Sequence, residues 1–332
     1  MSDLLVGTLS VLLATNAPAA LSNLVARKTG RPLPSPARLE EATDPVGAEL
    51  RRVMDLDDAT GRDLQDLVAR NQGADPNHPA TLSPTALDRA VEERVGKVRA
   101  AYEELIRRHP RHAPTRVAFA SFLEEHGEEP EVIGQLETAT TLDPDSAAAW
   151  NNLANHYGHV GPVAKAFPAY ERAISLNPRE PVYGYNLATT VFLFRKDAAE
   201  YYRCDEQAVF ARALDLYRKV RALRPFDFRY AYDFAQTYYG VKPAPAEDAA
   251  GRRASELRLA EDALAAWQEA WALADNELDR QGVSLHQARW QLKAGRWEAA
   301  RTNLAAVTDP QHAEVRKRLE QSLARATSSA PR

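Results

Sequence analysis

Two histidines, His156 and His159, are the first residues whose types and spacing could support chemistry, because a helix would bring both to one face. A metal site needs further ligands, and no carboxylate or cysteine follows at a ligand spacing. The single cysteine, Cys204, excludes a disulfide within the chain and any multi-cysteine metal site. The sequence also has no glycine-rich phosphate loop, HExxH motif or GxSxG elbow. We therefore predict no catalytic residue, no metal and no cofactor.

Side-chain amides and aromatic rings suggest a different chemistry, which is the binding of polypeptide. An asparagine amide carries both a donor and an acceptor, so a row of asparagines can hydrogen-bond a peptide backbone whatever its sequence. Aromatic rings add stiff apolar contact area. Asn151, Asn152 and Asn155 cluster in one stretch, and Tyr185 and Asn186 follow later. Whether these side chains share a surface depends on the elements that carry them.

Those elements are indicated by a repeat. Pro110, Pro144 and Pro178 are 34 residues apart, a period typical of helix-turn-helix arrays. The apolar residues between the last two prolines fall on one stripe of each of two helices, so neither helix can bury its apolar face alone. The template residues are Trp150, Leu153, Ala154, Tyr157, Ala166, Tyr170 and Ala173.

This pattern resembles the tetratricopeptide repeat, and the segment from Ala147 to Pro178 contains every position of it. The resemblance implies an all-α fold, a right-handed α-solenoid of about five helix-turn-helix repeats. A helical N-terminal extension and a C-terminal capping helix would flank the array. Position 8 of each repeat, counted from the start of its first helix, takes a small residue because two helices approach each other there. These small residues would be Ala120, Ala154, Ala188 and Ala235.

The predicted organisation has an extension with proline-rich linkers over residues 1–83 and an array over 84–326. Insertions are predicted at 194–206 and at 241–256, the second as a mobile loop. The fifth predicted repeat carries the polar residues Gln287 and Gln291 at its positions 7 and 11. In the fourth, Trp267 and Trp271 are expected in the core. The predicted repeats are 113–146, 147–180, 181–227, 228–280 and 281–310, followed by a capping helix at 311–326.

In the family that the chain resembles, the first helix of each repeat lines a concave groove. Asn152, Asn155 and Asn186 are similar in position to groove asparagines of O-linked N-acetylglucosamine transferases and peptide-clamping adaptors, although asparagine is common there whatever the repeat binds. A clamp for acidic tails is not expected, because Asn151 and Asp233 replace its basic residues; Asp233 favours a basic or amide ligand. The predicted groove residues are Asn151, Asn152, Asn155, Tyr185, Asn186, Thr189, Phe192, Arg229, Tyr232, Asp233, Gln236 and Tyr239.

The resemblance therefore implies a non-catalytic scaffold or adaptor that binds an extended peptide or protein segment of unknown identity. The alternative is a structural assembly subunit that self-associates or docks through its apolar N-terminal helical hairpin. A net charge of −4 does not favour a nucleic-acid partner.

The N-terminal apolar stretch, residues 4–14, is too short to span a bilayer, so no transmembrane segment is predicted. It lacks the preceding Lys or Arg of a secretory signal, which favours a cytoplasmic protein. Export with cleavage near Ala19 or Ala20 is the alternative.

Overall fold

The computed structural model describes residues 45–73, 82–127 and 129–328, and all regular structure in these ranges is helical. The all-α prediction is confirmed. The predicted N-terminal hairpin lies outside the described residues, and with it the docking element of the assembly alternative. The repeat count of about five and the right-handed winding stay predictions.

The chain divides into two compact units after Leu176. The first unit consists of successive helices, each packed on its neighbours in sequence. Helix α1 begins at Pro45. The helices are α1 Pro45–Gly73, α2 Pro84–Arg108, α3 Ala113–Glu125, α4 Glu129–Leu142, α5 Ala147–Val160 and α6 Ala166–Leu176, with a 3₁₀ turn at Val163–Lys165 before α6.

The second unit, from Asn177 onward, likewise consists of successive helices that pack on one another. A 3₁₀ turn at Pro310–His312 precedes its last helix. The helices are α7 Pro181–Leu193, α8 Arg195–Tyr202, α9 Glu206–Leu223, α10 Phe228–Thr237, α11 Ala249–Leu273, α12 Glu277–Ala294, α13 Trp297–Ala305 and α14 Ala313–Ser328.

Side-chain caps explain where several helices begin. The Ser146 hydroxyl accepts the Ala149 amide hydrogen at 3.3 Å, and the Asp205 carboxylate accepts that of Ala208 at 2.8 Å. Each bond satisfies an amide that the first helical turn would otherwise leave without a partner, which stabilises the helix by about 1 kcal/mol. The same device starts α2, α10, α11 and α12 at Ser83, Asp227, Asp248 and Asn276.

Small and aromatic residues form the cores of both units as the repeat pattern predicts. The alanines at position 8 are at most 1% exposed, so neighbouring helices approach closely at each of them. In the first unit Tyr102, Phe119 and Phe122 pack ring against ring, with centroids 5.5–6.1 Å apart. In the second unit Trp267 and Trp290 are the largest buried side chains.

Two expectations about the second unit are wrong in part. The segment 241–256 is not a loop throughout, because α11 begins at Ala249, where Asp248 caps it. Trp271 is 38% exposed, whereas Trp267 is fully buried. The two tryptophans are four residues apart on α11, but Trp271 faces outward and lies under the Arg280 guanidinium.

Candidate functional site

The predicted asparagines of the first unit lie on α5 and differ in exposure. Asn151 is buried at 5% exposure, and its amide donates to the Asn152 carbonyl at 3.4 Å. Asn152 is half-buried. Asn155 accepts a hydrogen bond from the Tyr170 hydroxyl on α6 at 2.7 Å. Part of the amide row therefore joins the two helices of one repeat.

In the second unit Tyr185 and Asp233 are brought together although 48 residues separate them. The Tyr185 hydroxyl donates to the Asp233 carboxylate at 2.6 Å, and the Arg229 guanidinium lies 4.8 Å from the centre of the Tyr185 ring. All three residues were predicted groove residues. Asp233 thus accepts from the protein itself, which weakens the expectation that it selects a basic ligand.

Burial raises the pKa of the Asp233 carboxyl to about 6, while the Tyr185 hydrogen bond and the Arg229 charge act in the opposite direction. The charged carboxylate is therefore less stable in the folded chain than in water. Burial also raises the pKa of the Tyr185 hydroxyl, so tyrosine remains the donor of this pair at neutral pH.

The other predicted residues of α7 and α10 have mixed roles. The Thr189 hydroxyl hydrogen-bonds the buried Tyr217 hydroxyl at 3.0 Å, and the Phe192 ring lies 6.0 Å from that of Phe210. Asn186 is half-buried on the same helix. The Gln236 side-chain oxygen is buried and has no hydrogen-bond partner in the part of the chain that the structure describes.

Tyr232 and Tyr239 converge on a residue that sequence reasoning missed, His286 of α12. The Tyr232 hydroxyl lies 3.1 Å from Nε2 of His286, and the Tyr239 hydroxyl lies 2.8 Å from Nδ1. The imidazole stacks on the buried Trp267 indole with centroids 4.1 Å apart and planes 3° from parallel. Tyr232 of α10, Tyr239 of the turn after α10 and Trp267 of α11 therefore hold the imidazole on both edges and one face.

The environment of His286 keeps its ring neutral. Burial and the nearby Arg289 charge lower the pKa of His286 to about 3. A neutral imidazole has one N–H and one bare nitrogen, so one tyrosine accepts from the ring and the other donates to it. The histidine orients the two hydroxyls and is poorly suited to proton transfer near neutral pH.

Two cations lie beside these rings on α12. The Arg289 guanidinium is 5.7 Å and the Lys293 ammonium 5.6 Å from the centre of the Tyr239 ring. Neither forms an ion pair with any residue in the described ranges. We call Tyr232, Tyr239, His286, Arg289 and Lys293 the aromatic face.

The position of a residue within its repeat could have identified the site residues of α12 from the sequence. Counting from Gln281 as position 1, His286 and Arg289 occupy positions 6 and 9, which correspond to the predicted groove residues Asn152 and Asn155 of the repeat that begins at Ala147. What the register does not show is that His286 binds tyrosines 47 and 54 residues away in sequence.

His156 and His159, the first metal candidates, differ in environment: His156 is buried and His159 is exposed. Among residues 45–73, 82–127 and 129–328, no three or more His, Cys, Asp or Glu side chains gather as a metal site would require. Within these same ranges, no helix combines the length and apolar character needed to cross a bilayer.

Neither a protein-family model nor a curated protein matches the chain in sequence. Several solved structures match its fold. YrrB, described as a TPR protein with an unusual peptide-binding site, aligns with a TM-score of 0.51 at 14% identity, over 67% of this chain and 98% of YrrB.

Two further structures resemble smaller parts of the chain. MamA aligns with a TM-score of 0.41 at 18% identity, over 56% of this chain and 86% of MamA. TTC0263, a thermophilic TPR protein of Thermus thermophilus, aligns at 0.39 and 18% identity, over 64% of this chain and 99% of its own. The helical succession, the buried template residues and the YrrB alignment agree: the chain has the fold of tetratricopeptide-repeat proteins.

Proposed function

We propose that this protein is a non-catalytic scaffold that binds an extended peptide or protein segment on the first helices of its repeats. The observation that carries the proposal is the aromatic face, where half-exposed tyrosines are held in place by hydrogen bonds to His286. Rigid aromatic side chains lose little conformational entropy when a ligand binds, which is why they dominate many binding surfaces.

The charges on this face indicate which peptides it prefers. Arg289 and Lys293 carry positive charge beside Tyr239, whereas Asp233 already accepts from Tyr185. A ligand with an acidic side chain next to an aromatic or apolar one complements this arrangement. We thus infer an acidic or neutral peptide instead of the basic one that Asp233 alone suggested.

The asparagines of α5 are the second part of the proposal. Asn152 is half-buried, and its side-chain amide can exchange hydrogen bonds with a peptide backbone. Asn151 donates to the Asn152 carbonyl oxygen, and Asn155 on the same helix accepts from the Tyr170 hydroxyl. This helix would contribute contacts that do not depend on the peptide sequence.

Selection of peptides from a random displayed library on the purified chain tests the proposal. Enriched peptides should then be measured by fluorescence anisotropy against Arg289→Gln and Lys293→Gln. Each substitution should weaken binding about five- to tenfold, because a charge-assisted contact contributes roughly 1–1.5 kcal/mol.

Lys317→Gln is the matched control, since Lys317 is an exposed lysine on α14 away from the aromatic face. Its affinity should equal that of the wild type. Failure to enrich any sequence, or equal affinities for all four proteins, would contradict binding at this face.

A further inference from the structure

An open cleft of about 370 Å³ lies between α11, α12 and α13, outside the aromatic face. Its polar wall is built from four side-chain amides, those of Gln268, Gln287, Gln291 and Asn303, which we call the amide cleft. The volume falls within the usual range for ligand pockets.

The amides form a connected network. Gln287 donates to the Gln268 oxygen at 3.1 Å, and Asn303 donates to the oxygens of Gln287 and Gln291 at 3.3 and 3.0 Å. Gln287 is only 6% exposed and occupies position 7, where the repeat pattern has leucine. Leucine would meet the packing requirement without the cost of burying an amide, so packing alone does not account for this residue.

The network leaves some polar groups of these lining residues without a hydrogen-bond partner. The amide nitrogens of Gln268 and Gln291 and the carbonyl oxygen of Asn303 have no hydrogen-bond partner in the described ranges. An amide turned over exchanges a donor for an acceptor, so the cleft offers both in either orientation. Leu264 and Ala265 of α11 supply an apolar wall, and the Arg296–Glu261 ion pair, at 2.9 Å, borders the cleft.

The amide cleft lies on a different side of α12 from the aromatic face. At roughly 100° per residue, Gln287 and Gln291 are centred about 150° around the helix axis from His286, Arg289 and Lys293. One ligand segment that contacts α12 from the aromatic face therefore does not reach these glutamines.

We propose that the amide cleft is a second binding site, and that it takes an extended polypeptide segment through the segment's backbone amides. A stretched backbone presents N–H and C=O groups in pairs, which match the mixed donors and acceptors of the cleft. The apolar wall accommodates a small side chain. This site goes beyond the proposed function, and the scaffold could bind two polypeptides at once.

The test is an NMR titration of the ¹⁵N-labelled full chain with N-acetylglycine N-methylamide, a capped single residue with two amides. The side-chain NH₂ signals of Gln268 and Gln291 should shift and saturate. Methyl acetoxyacetate, the matching diester without N–H donors, should bind at least about fivefold more weakly, as loss of a hydrogen bond implies.

Gln268→Ala and Gln291→Leu should each weaken diamide binding about fivefold. Gln268 is exposed and accepts one hydrogen bond, from Gln287, so its replacement should cost about 1–3 kcal/mol of stability, and circular dichroism checks that the variant is folded. Gln321→Leu, an exposed glutamine of α14, is the matched control and should leave the titration unchanged. Shifts that never saturate, equal binding of amide and ester, or full binding by Gln268→Ala would overturn the proposal. Arg289→Gln should not alter the titration, which separates this site from the aromatic face.

Discussion

Helices α5 and α10, each the first helix of a repeat, present their polar groups in different ways in the two units. On α5 the asparagines bond to neighbours up to 15 residues away, within a single repeat. On α10 and in the turn that follows it, Tyr232, Asp233 and Tyr239 bond to partners 47–54 residues away, on other repeats. The second face therefore depends on the stacking of repeats, whereas these two bonds of α5 lie within one helix pair. Substitutions that remove these long-range contacts of the second unit should therefore lower the free energy of unfolding more than substitutions of the α5 asparagines do.

The largest effect is expected from His286→Ala. The change removes the ring stacked on Trp267 and leaves two tyrosine hydroxyls without their partner. We expect a loss of about 2–4 kcal/mol from the free energy of unfolding of the second unit. Urea unfolding followed by tryptophan fluorescence reports mainly this unit, since Trp150 alone of the five tryptophans lies in the first. An unchanged midpoint would show that the histidine is not structural.

Gly240→Ala comes next, because a Cβ at this position would lie 2.2 Å from ring carbons of the buried Phe210. We expect destabilisation of about 1–3 kcal/mol, since Phe210 must move within a packed core. Gly96→Ala in the first unit is the matched control. A Cβ there meets no atom within 4 Å, and alanine favours a helix, so this variant should gain about 0.5–1 kcal/mol. Equal effects at the two glycines would contradict this contrast.

Asp233→Asn should stabilise the second unit at neutral pH. The folded-state pKa of Asp233, about 6, is above its ordinary value of 3.8, so the folded chain binds this proton more tightly than the unfolded chain does. The stability from this group is greatest below about pH 4 and is lost as the pH rises through 6. Asparagine keeps the acceptor for Tyr185 without the charge, so we expect a gain on the order of 1–2 kcal/mol at pH 7.

Urea midpoints at pH 4.5 and pH 7 for both proteins would measure this gain. The lowered pKa of His286 contributes with the opposite sign, being stabilising above pH 6.5 and lost as the pH falls toward 3. That contribution is common to both proteins and cancels in their difference. A variant whose advantage is the same at both pH values would argue against titration of Asp233.

Asn155→Ala should have the smallest effect, a loss of about 1 kcal/mol, because it removes one local hydrogen bond from Tyr170. Asn152→Ala on the same helix is the control, and we expect it to change stability by a few tenths of a kcal/mol at most. Thermal unfolding followed by circular dichroism would distinguish the two. A greater loss in Asn152→Ala would mean that Asn152 is structural and not available to a ligand.

Most of the fold could be predicted from sequence because the repeat pattern is local. Position 8 requires a small residue wherever helices approach, and Ala154, Ala188 and Ala235 are all buried. Capping residues are likewise local signals, as Ser83 followed by Pro84 is at the start of α2. Periodicity within a helix carries this information directly.

The candidate site could be predicted only in part, because its bonds join distant residues. The register placed Tyr232 and Tyr239 on the first helix of a repeat, but it could not show that both bind His286 or that Asp233 accepts from Tyr185. Gln287 was recognised as an unusual polar residue at position 7, yet the amides that surround it come from α11 and α13. Such partners depend on how repeats stack, which a single repeat does not specify.

The central claim is that a polypeptide binds the first-helix surface formed by α10 and α12. Hydrogen–deuterium exchange of the full chain, with and without a peptide selected as described, tests it most directly. We predict slower exchange in α10, in the turn after it and in α12, around Tyr232, Tyr239 and His286, and weaker protection of Arg289→Gln at the same subsaturating peptide concentration. Unaltered exchange in both helices while the peptide is bound would contradict the account.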